Sequence, residues 1–163
     1  MLPDLVAQDL ACLFCGTAAG HASAAKGHYY AGPGNRFWAL LSETGITPRR
    51  LEPREDHLMP GLGYGFTDLA KGISGMDRDI PPESFCPDHL TNLVKSHRPR
   101  RLAFTSLTAA RIGLGRKVAA GRIEAASRPD LRIWALPSPS GAARRWFRVE
   151  PWQDLARDIR EAS

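Results

Sequence analysis

The sequence predicts an α/β fold, a three-layer α/β/α sandwich around a central four-stranded parallel sheet. Two observations predict it. Short apolar runs alternate with segments whose apolar residues recur at helical spacing, the order a parallel sheet covered on both faces requires. The runs also stop at glycines or small polar residues, so the chain turns where each strand ends. At 163 residues the chain is expected to form one domain spanning 1–163, long enough to bury most of a real core.

The elements follow in order. Leu10 to Cys15 reads as a buried strand ending abruptly in Gly16-Thr17-Ala18-Ala19-Gly20. A loop of small residues, His21, Lys26, His28, Tyr29 and Tyr30 leads to Pro33-Gly34-Asn35. Asn35 to Glu43 reads as a helix with Asn35 as N-cap and Gly45 beyond its end. Residues 46–63 form a long, polar, Pro-rich connection. Tyr64 to Leu69 is a short strand bounded by glycines. Pro87 to Ser96 reads as a helix, with Leu90, Leu93 and Val94 on one face. Arg101 to Thr105 is a strand, and Leu107 to Leu114 a short helix. Leu131 to Leu136 is a strand running into Pro137-Ser138-Pro139-Ser140-Gly141. Pro151 to Glu161 is an amphipathic helix with proline at its start.

Composition bounds the function classes. Hydrophobic content of 43% and a mean hydropathy of −0.29 are ordinary for a soluble domain. No apolar run approaches the ~20 residues that span a bilayer. The first residues, MLPDLVAQDLA, carry acids rather than a basic segment, so no signal peptide and a cytoplasmic location are expected. Lys and Arg total 22 against 17 acids, a formal +5. Arginine dominates, with clusters at Arg49-Arg50, Arg98 to Arg101 and Arg144-Arg145, and its planar fork suits phosphate. Cys12 and Cys15 lie at odd spacing in a strand and point to opposite faces, so they cannot share a metal. No metal and no cofactor are expected.

The loops carry the chemistry. In open α/β sheets ligands bind beyond the carboxyl ends of the strands. Three of the four predicted strand ends are unusual: the Gly16–His21 loop, Thr67-Asp68, and the PSPSGAARR run from Pro137 to Arg145. Thr105-Ser106, after the third, is unremarkable. Backbone amides at a strand that stops on glycines can bind an anion or a polar ring edge, and aromatics supply a flat face. Together these suggest a pocket for a flat polar heterocycle. The stiff Pro-Ser-Pro-Ser-Gly turn, leading to Arg144-Arg145, fits a grip on a phosphodiester backbone. The chain lacks both the P-loop pattern and a Gly-x-Gly-x-x-Gly after its first strand, which argues against a nucleotide-binding enzyme.

These motifs, in order over roughly residues 10–150, resemble the mismatch-specific uracil-DNA glycosylases within the wider uracil-DNA glycosylase superfamily. Gly16–Gly20 is similar to that group's first motif, Pro33-Gly34-Asn35-Arg36-Phe37-Trp38 to its Pro-x-Asn-Arg-Phe-Trp signature, and Leu136 to Gly141 to its Leu-Pro-Asn-Pro-Ser-Gly motif. Gly65 to Leu69 looks like its Gly-x-Thr-x-Leu strand. The resemblance implies base-excision repair: a monofunctional glycosylase that hydrolyses the N-glycosidic bond of uracil or another deaminated base in DNA. It implies DNA containing such a base as partner, no membrane, a monomer, and in a bacterium a nucleoid-associated cytoplasmic setting. Three departures point to a divergent branch. The Asn that positions water in the family falls on Ala18, the second-motif Asn on Ser138, and the leucine wedge on Ala142.

The missing polar group is expected to be Asp68, with His21 as second catalytic candidate. Gly16, Thr17, Ala18, Gly20, Tyr30, Asn35 and Ser138 are the expected substrate contacts, Tyr30 stacking on the flipped ring. Ser23, Lys26, Ser140, Gly141, Ala142, Arg144 and Arg145 are the expected DNA contacts. Loss of the first-motif Asn keeps one alternative open, a non-catalytic or weakly active binder of damaged DNA.

Overall fold

The Cys12–Gly16 run forms strand β1 at the heart of the sheet, buried along its whole length. The structure is a computed structural model describing residues 2–161. β2 (Tyr64–Asp68), β3 (Arg101–Phe104) and β5 (Arg132–Ala135) complete a parallel set, and the two-residue β4 (Gly121–Arg122) runs antiparallel on β5. The spatial order is β2-β1-β3-β5-β4. Among the described residues the sheet therefore has five strands rather than the four expected. Two residues are too few to show alternation, so β4 leaves no mark on the sequence.

The helices are α1 (His21–Lys26), α2 (Phe37–Glu43), α3 (Met59–Leu62), α4 (Pro87–His97), α5 (Leu107–Leu114) and α6 (Glu150–Glu161). β1 shows how the layers arise. Cys12 and Phe14 face one cluster with Phe37, Trp38 and Trp152 of α2 and α6. Leu13 and Cys15 face a second with Leu90, Leu93, Ala109 and Ala110 of α4 and α5. Alternate side chains of one strand thus feed both cores, and the two thiols lie on opposite faces as expected. Among the described residues no helix is long and apolar enough to cross a membrane.

Two local readings are corrected. The stretch after Gly20, expected as a loop, contains α1, whose alanines favour helix and whose end is set by Gly27 at φ 77°. Asn35 stands one residue before the cap position of α2. Its Oδ1 still accepts from the Phe37 amide at 2.9 Å, satisfying one open donor of the first turn. The connection over 46–63 holds a 3₁₀ turn, Pro53–Leu58, closed by reciprocal bonds between Glu52 and Glu55.

Topology positions the site. The chain passes from β1 to β2 on one side, then returns to β3 on the other, so the loops after β1 and β3 diverge and open a crevice. Two hydrogen bonds bring the loop after β5 to its mouth. The Trp152 indole donates to the Pro137 carbonyl at 2.9 Å, and the Arg36 amide to the Pro139 carbonyl at 2.9 Å.

Candidate active site

Gly16 ends β1 directly opposite Asp68, its register partner on β2. On the other side Thr105 follows β3, its amide donating to the Cys15 carbonyl at 2.9 Å. A Cβ built on Gly16 would lie 2.7 Å from Asp68 Oδ1 and 3.5 Å from both Thr105 Oγ1 and the Tyr30 hydroxyl. Only glycine leaves room for the carboxylate at this strand end. Tyr30 adopts φ 53°, a left-handed conformation that costs a bulky residue about 1–2 kcal/mol. The strained turn seats its ring on Phe37, centroids 3.9 Å apart, and brings its hydroxyl to 3.0 Å from Thr105 Oγ1.

These groups border a cleft of about 630 Å³. Asp68 is 5% exposed, and no donor among the described residues hydrogen-bonds its carboxylate. Burial pushes its pKa up to about 6, the Lys71 ammonium working against that rise and the Asp4 carboxylate adding to it. Lys71 itself pairs with Asp4 at 2.7 Å. Asp68 is thus a buried carboxylate, open to the cleft and without a structural partner. Burial and the Asp68 charge also hold the Tyr30 phenol far above its ordinary pKa, so it stays neutral.

Gly16, Thr17, Ala18, Gly20, Tyr30, Asn35, Asp68 and Ser138 all line this one cleft. The Ser138 hydroxyl accepts from the Ser140 amide and donates to Ser140 Oγ, both at 3.2 Å, so it shapes its own turn. His21 does not join them. As the first residue of α1 it points outward, Nδ1 lying 3.3 Å from Ser74 Oγ. Lys26 is exposed at the far end of α1 and donates to the Ala31 carbonyl at 3.1 Å. Ser23 borders the cleft but is buried, its Oγ accepting from the Ala31 amide at 2.9 Å. The six-residue helix α1 thus holds His21 beside Ser74 and leaves Lys26 exposed at its other end.

Ser140 and Ala142 line the mouth, and Arg144 and Arg145 are exposed on the 3₁₀ turn Gly141–Trp146 beside it. Gly141 packs against the Gly34 backbone, where a Cβ on Gly34 would lie 3.7 Å from the Gly141 Cα. Neither arginine takes part in an ion pair among the described residues.

Sequence reasoning missed three features. Thr105 looked ordinary, yet its hydroxyl meets Tyr30 across the β1/β3 junction. Gly75, Met76, Asp77 and Arg78 form the far wall of the cleft. They are drawn in by the Gly75 amide donating to the Ala19 carbonyl at 3.0 Å and by Thr17 Oγ1 donating to the Asp77 carboxylate. Trp146 is 79% exposed at the rim, close to where Met76 and Leu107 also present apolar side chains to the cleft. An exposed tryptophan carries no periodic signal, though its place after Arg144-Arg145 was visible.

The model of the uracil DNA glycosylase superfamily matches residues 3–156. The chain belongs to the uracil DNA glycosylase superfamily. Among solved structures, the solution NMR structure of a candidate uracil DNA glycosylase from Methanosarcina acetivorans is similar in fold. The match has a TM-score of 0.65 at 20% identity, and covers 98% of this chain and 96% of that one. Superfamily membership makes DNA repair the setting and DNA the partner class. Among the described residues no group of three or more His, Cys, Asp or Glu side chains is placed to hold a metal ion.

Proposed function

We propose that this superfamily member is a monofunctional DNA glycosylase that hydrolyses the N-glycosidic bond of uracil and related deaminated bases, with Asp68 as its catalytic carboxylate. One observation carries the reading: Asp68 is buried, unpaired and open to a cleft that also holds Tyr30, Asn35 and Ser138. A base inside a duplex is out of reach, so the nucleotide swings out. The base lies against Tyr30, with the amides of Thr17 and Tyr30 reading its polar edge. As the bond breaks, the sugar gains positive charge and the base leaves as an anion. A carboxylate ~4 Å from that charge contributes about 4 kcal/mol at an effective dielectric of ~20, and it also orients the attacking water. Amides aimed at the leaving oxygen stabilise the anion.

Ala18 makes the division of labour specific, because it offers no side-chain group to hold water. The same residue favours the second reading, a damaged-DNA binder without catalysis. An oligonucleotide with a single uracil separates the two. The enzyme leaves an abasic site that alkali cleaves; a binder shifts the band and leaves the strand intact.

The rim is the surface proposed to meet DNA. Arg144→Ala is expected to weaken binding uniformly across sequences and to make the salt dependence shallower by about one phosphate contact. Fluorescence anisotropy across a KCl series measures this, and an unaltered slope takes Arg144 off the backbone. Ala142 is a small wedge, whereas Trp146 on the same turn offers a large flat face to a base beside the vacated position. Trp146→Ala is expected to cost about 1–3 kcal/mol of DNA affinity. Three of the four tryptophans, Trp38, Trp134 and Trp152, are 4% exposed or less. Quenching of intrinsic fluorescence by DNA therefore reports on Trp146, and undiminished quenching in the variant refutes the contact.

A further inference from the structure

We infer that Asp4 is a positioning residue for the site: with the backbone beside it, Asp4 takes up the Lys71 ammonium and so keeps the Asp68 carboxylate free for water and sugar. The inference rests on the role proposed for Asp68.

Residues 2–5 strap the outer edge of the sheet behind the cleft. Leu5 pairs with Phe66 of β2 through two backbone bonds of 3.0 and 2.8 Å, and Pro3 accepts from the Tyr29 hydroxyl at 2.9 Å. This fixes Asp4 over the end of β2. Its carboxylate accepts from the Thr67 hydroxyl at 2.6 Å and lies 2.7 Å from both Lys71 Nζ and His89 Nε2 of α4. Burial alone would raise the Asp4 carboxyl, but the bonds from Lys71, Thr67 and His89 hold it below its ordinary value.

An ammonium has three donors, and the structure accounts for all of them. Lys71 Nζ meets Asp4 at 2.7 Å, the Leu2 carbonyl at 3.0 Å and the Tyr29 hydroxyl at 3.1 Å. Two of these partners come from the strap. Lys71 is only three residues from Asp68, and both face a small recess of about 70 Å³ behind the cleft, lined also by Leu2. A lysine so placed, with free donors, would bond the carboxylate, neutralise it and block it. The strap leaves Lys71 no donor to spare. Asp68 then feels the ammonium only through space, alongside Asp4, Tyr29, Tyr30 and Cys15.

The test compares the intact protein with Asp4→Asn, Lys71→Met and the double variant. Asn keeps hydrogen-bonding capacity toward Thr67 and His89 while discarding the charge that holds Lys71, and thermal melting checks that each variant folds. The first readout is the titration midpoint of the Asp68 carboxyl carbon by NMR, assigned from an Asp68→Asn spectrum. Asp4→Asn should lower it by about one pH unit or more, and by much less when Lys71 is already Met. The second is single-turnover uracil excision, each form measured well above its own Asp68 midpoint so that the carboxylate is ionised. Asp4→Asn should slow it at least tenfold, and adding Lys71→Met should recover most of the loss. An unmoved midpoint, an equal shift in both backgrounds, or a double variant no faster than Asp4→Asn overturns the inference. If no form of the protein excises uracil, the midpoints still decide the positioning role, and the proposed function fails separately.

Discussion

Asp68→Asn is expected to slow uracil excision by about 100- to 1,000-fold while leaving affinity for uracil-containing DNA within a few-fold. The same substitution should make the protein more stable at neutral pH. The sign follows from burial, which lifts the carboxyl from an ordinary 3.8 to about 6. Between those values the native state binds more protons than the unfolded chain, so this group's contribution to stability falls as pH rises through the window. Above pH 6 the cost is complete, up to about 3 kcal/mol at 1.36 kcal/mol per pH unit. Denaturant unfolding at pH 7.5 should therefore show Asp68→Asn as the more stable protein, the gap closing toward pH 4. A carboxylate kept for structural reasons behaves oppositely, its loss leaving partners unsatisfied. A destabilised, fully active variant would identify Asp68 as such a residue.

Gly16→Ala is the second large expectation. The added methyl would sit 2.7 Å from Asp68 Oδ1, inside any real contact distance, with Thr105 Oγ1 and the Tyr30 hydroxyl 3.5 Å away. The backbone there is not left-handed, so the substitution disturbs the carboxylate rather than the strand. Excision should fall at least tenfold, because a catalytic group displaced by about 1 Å loses on the order of 100-fold in rate. The melting temperature and secondary structure should change little by comparison. Unaltered excision would mean that the Asp68 position at this strand end is irrelevant to the chemistry.

The four parallel strands were legible because each is an apolar run closed by glycines or small polar residues, and α4 and α6 because their apolar faces repeat at helical spacing. The convergence of Gly16, Asp68 and Ser138 followed from where those runs stop. Thr105 could not be picked out, because its meaning lies in a register between β1 and β3, strands about 90 residues apart in the chain. The same holds for residues 75–78, which form no strand or α-helix and reach the cleft through Ala19 and Thr17. His21 was less legible: adjacency to Gly20 in sequence suggested the cleft, whereas the first turn of α1 sets its ring beside Ser74. Asp4 and Lys71 lie 67 positions apart and show their relation only in the folded chain.

The pH dependence of single-turnover excision, measured on an oligonucleotide with one uracil and compared with Asp68→Asn, tests the central claim most directly. The wild-type rate should fall about tenfold per pH unit below roughly pH 6, where the carboxyl takes up its proton, and level off above. Asp68→Asn should be slow throughout, with no such limb. A wild-type rate flat through pH 6, or an Asn variant that keeps the same limb, would contradict the assignment of the reaction to this carboxylate.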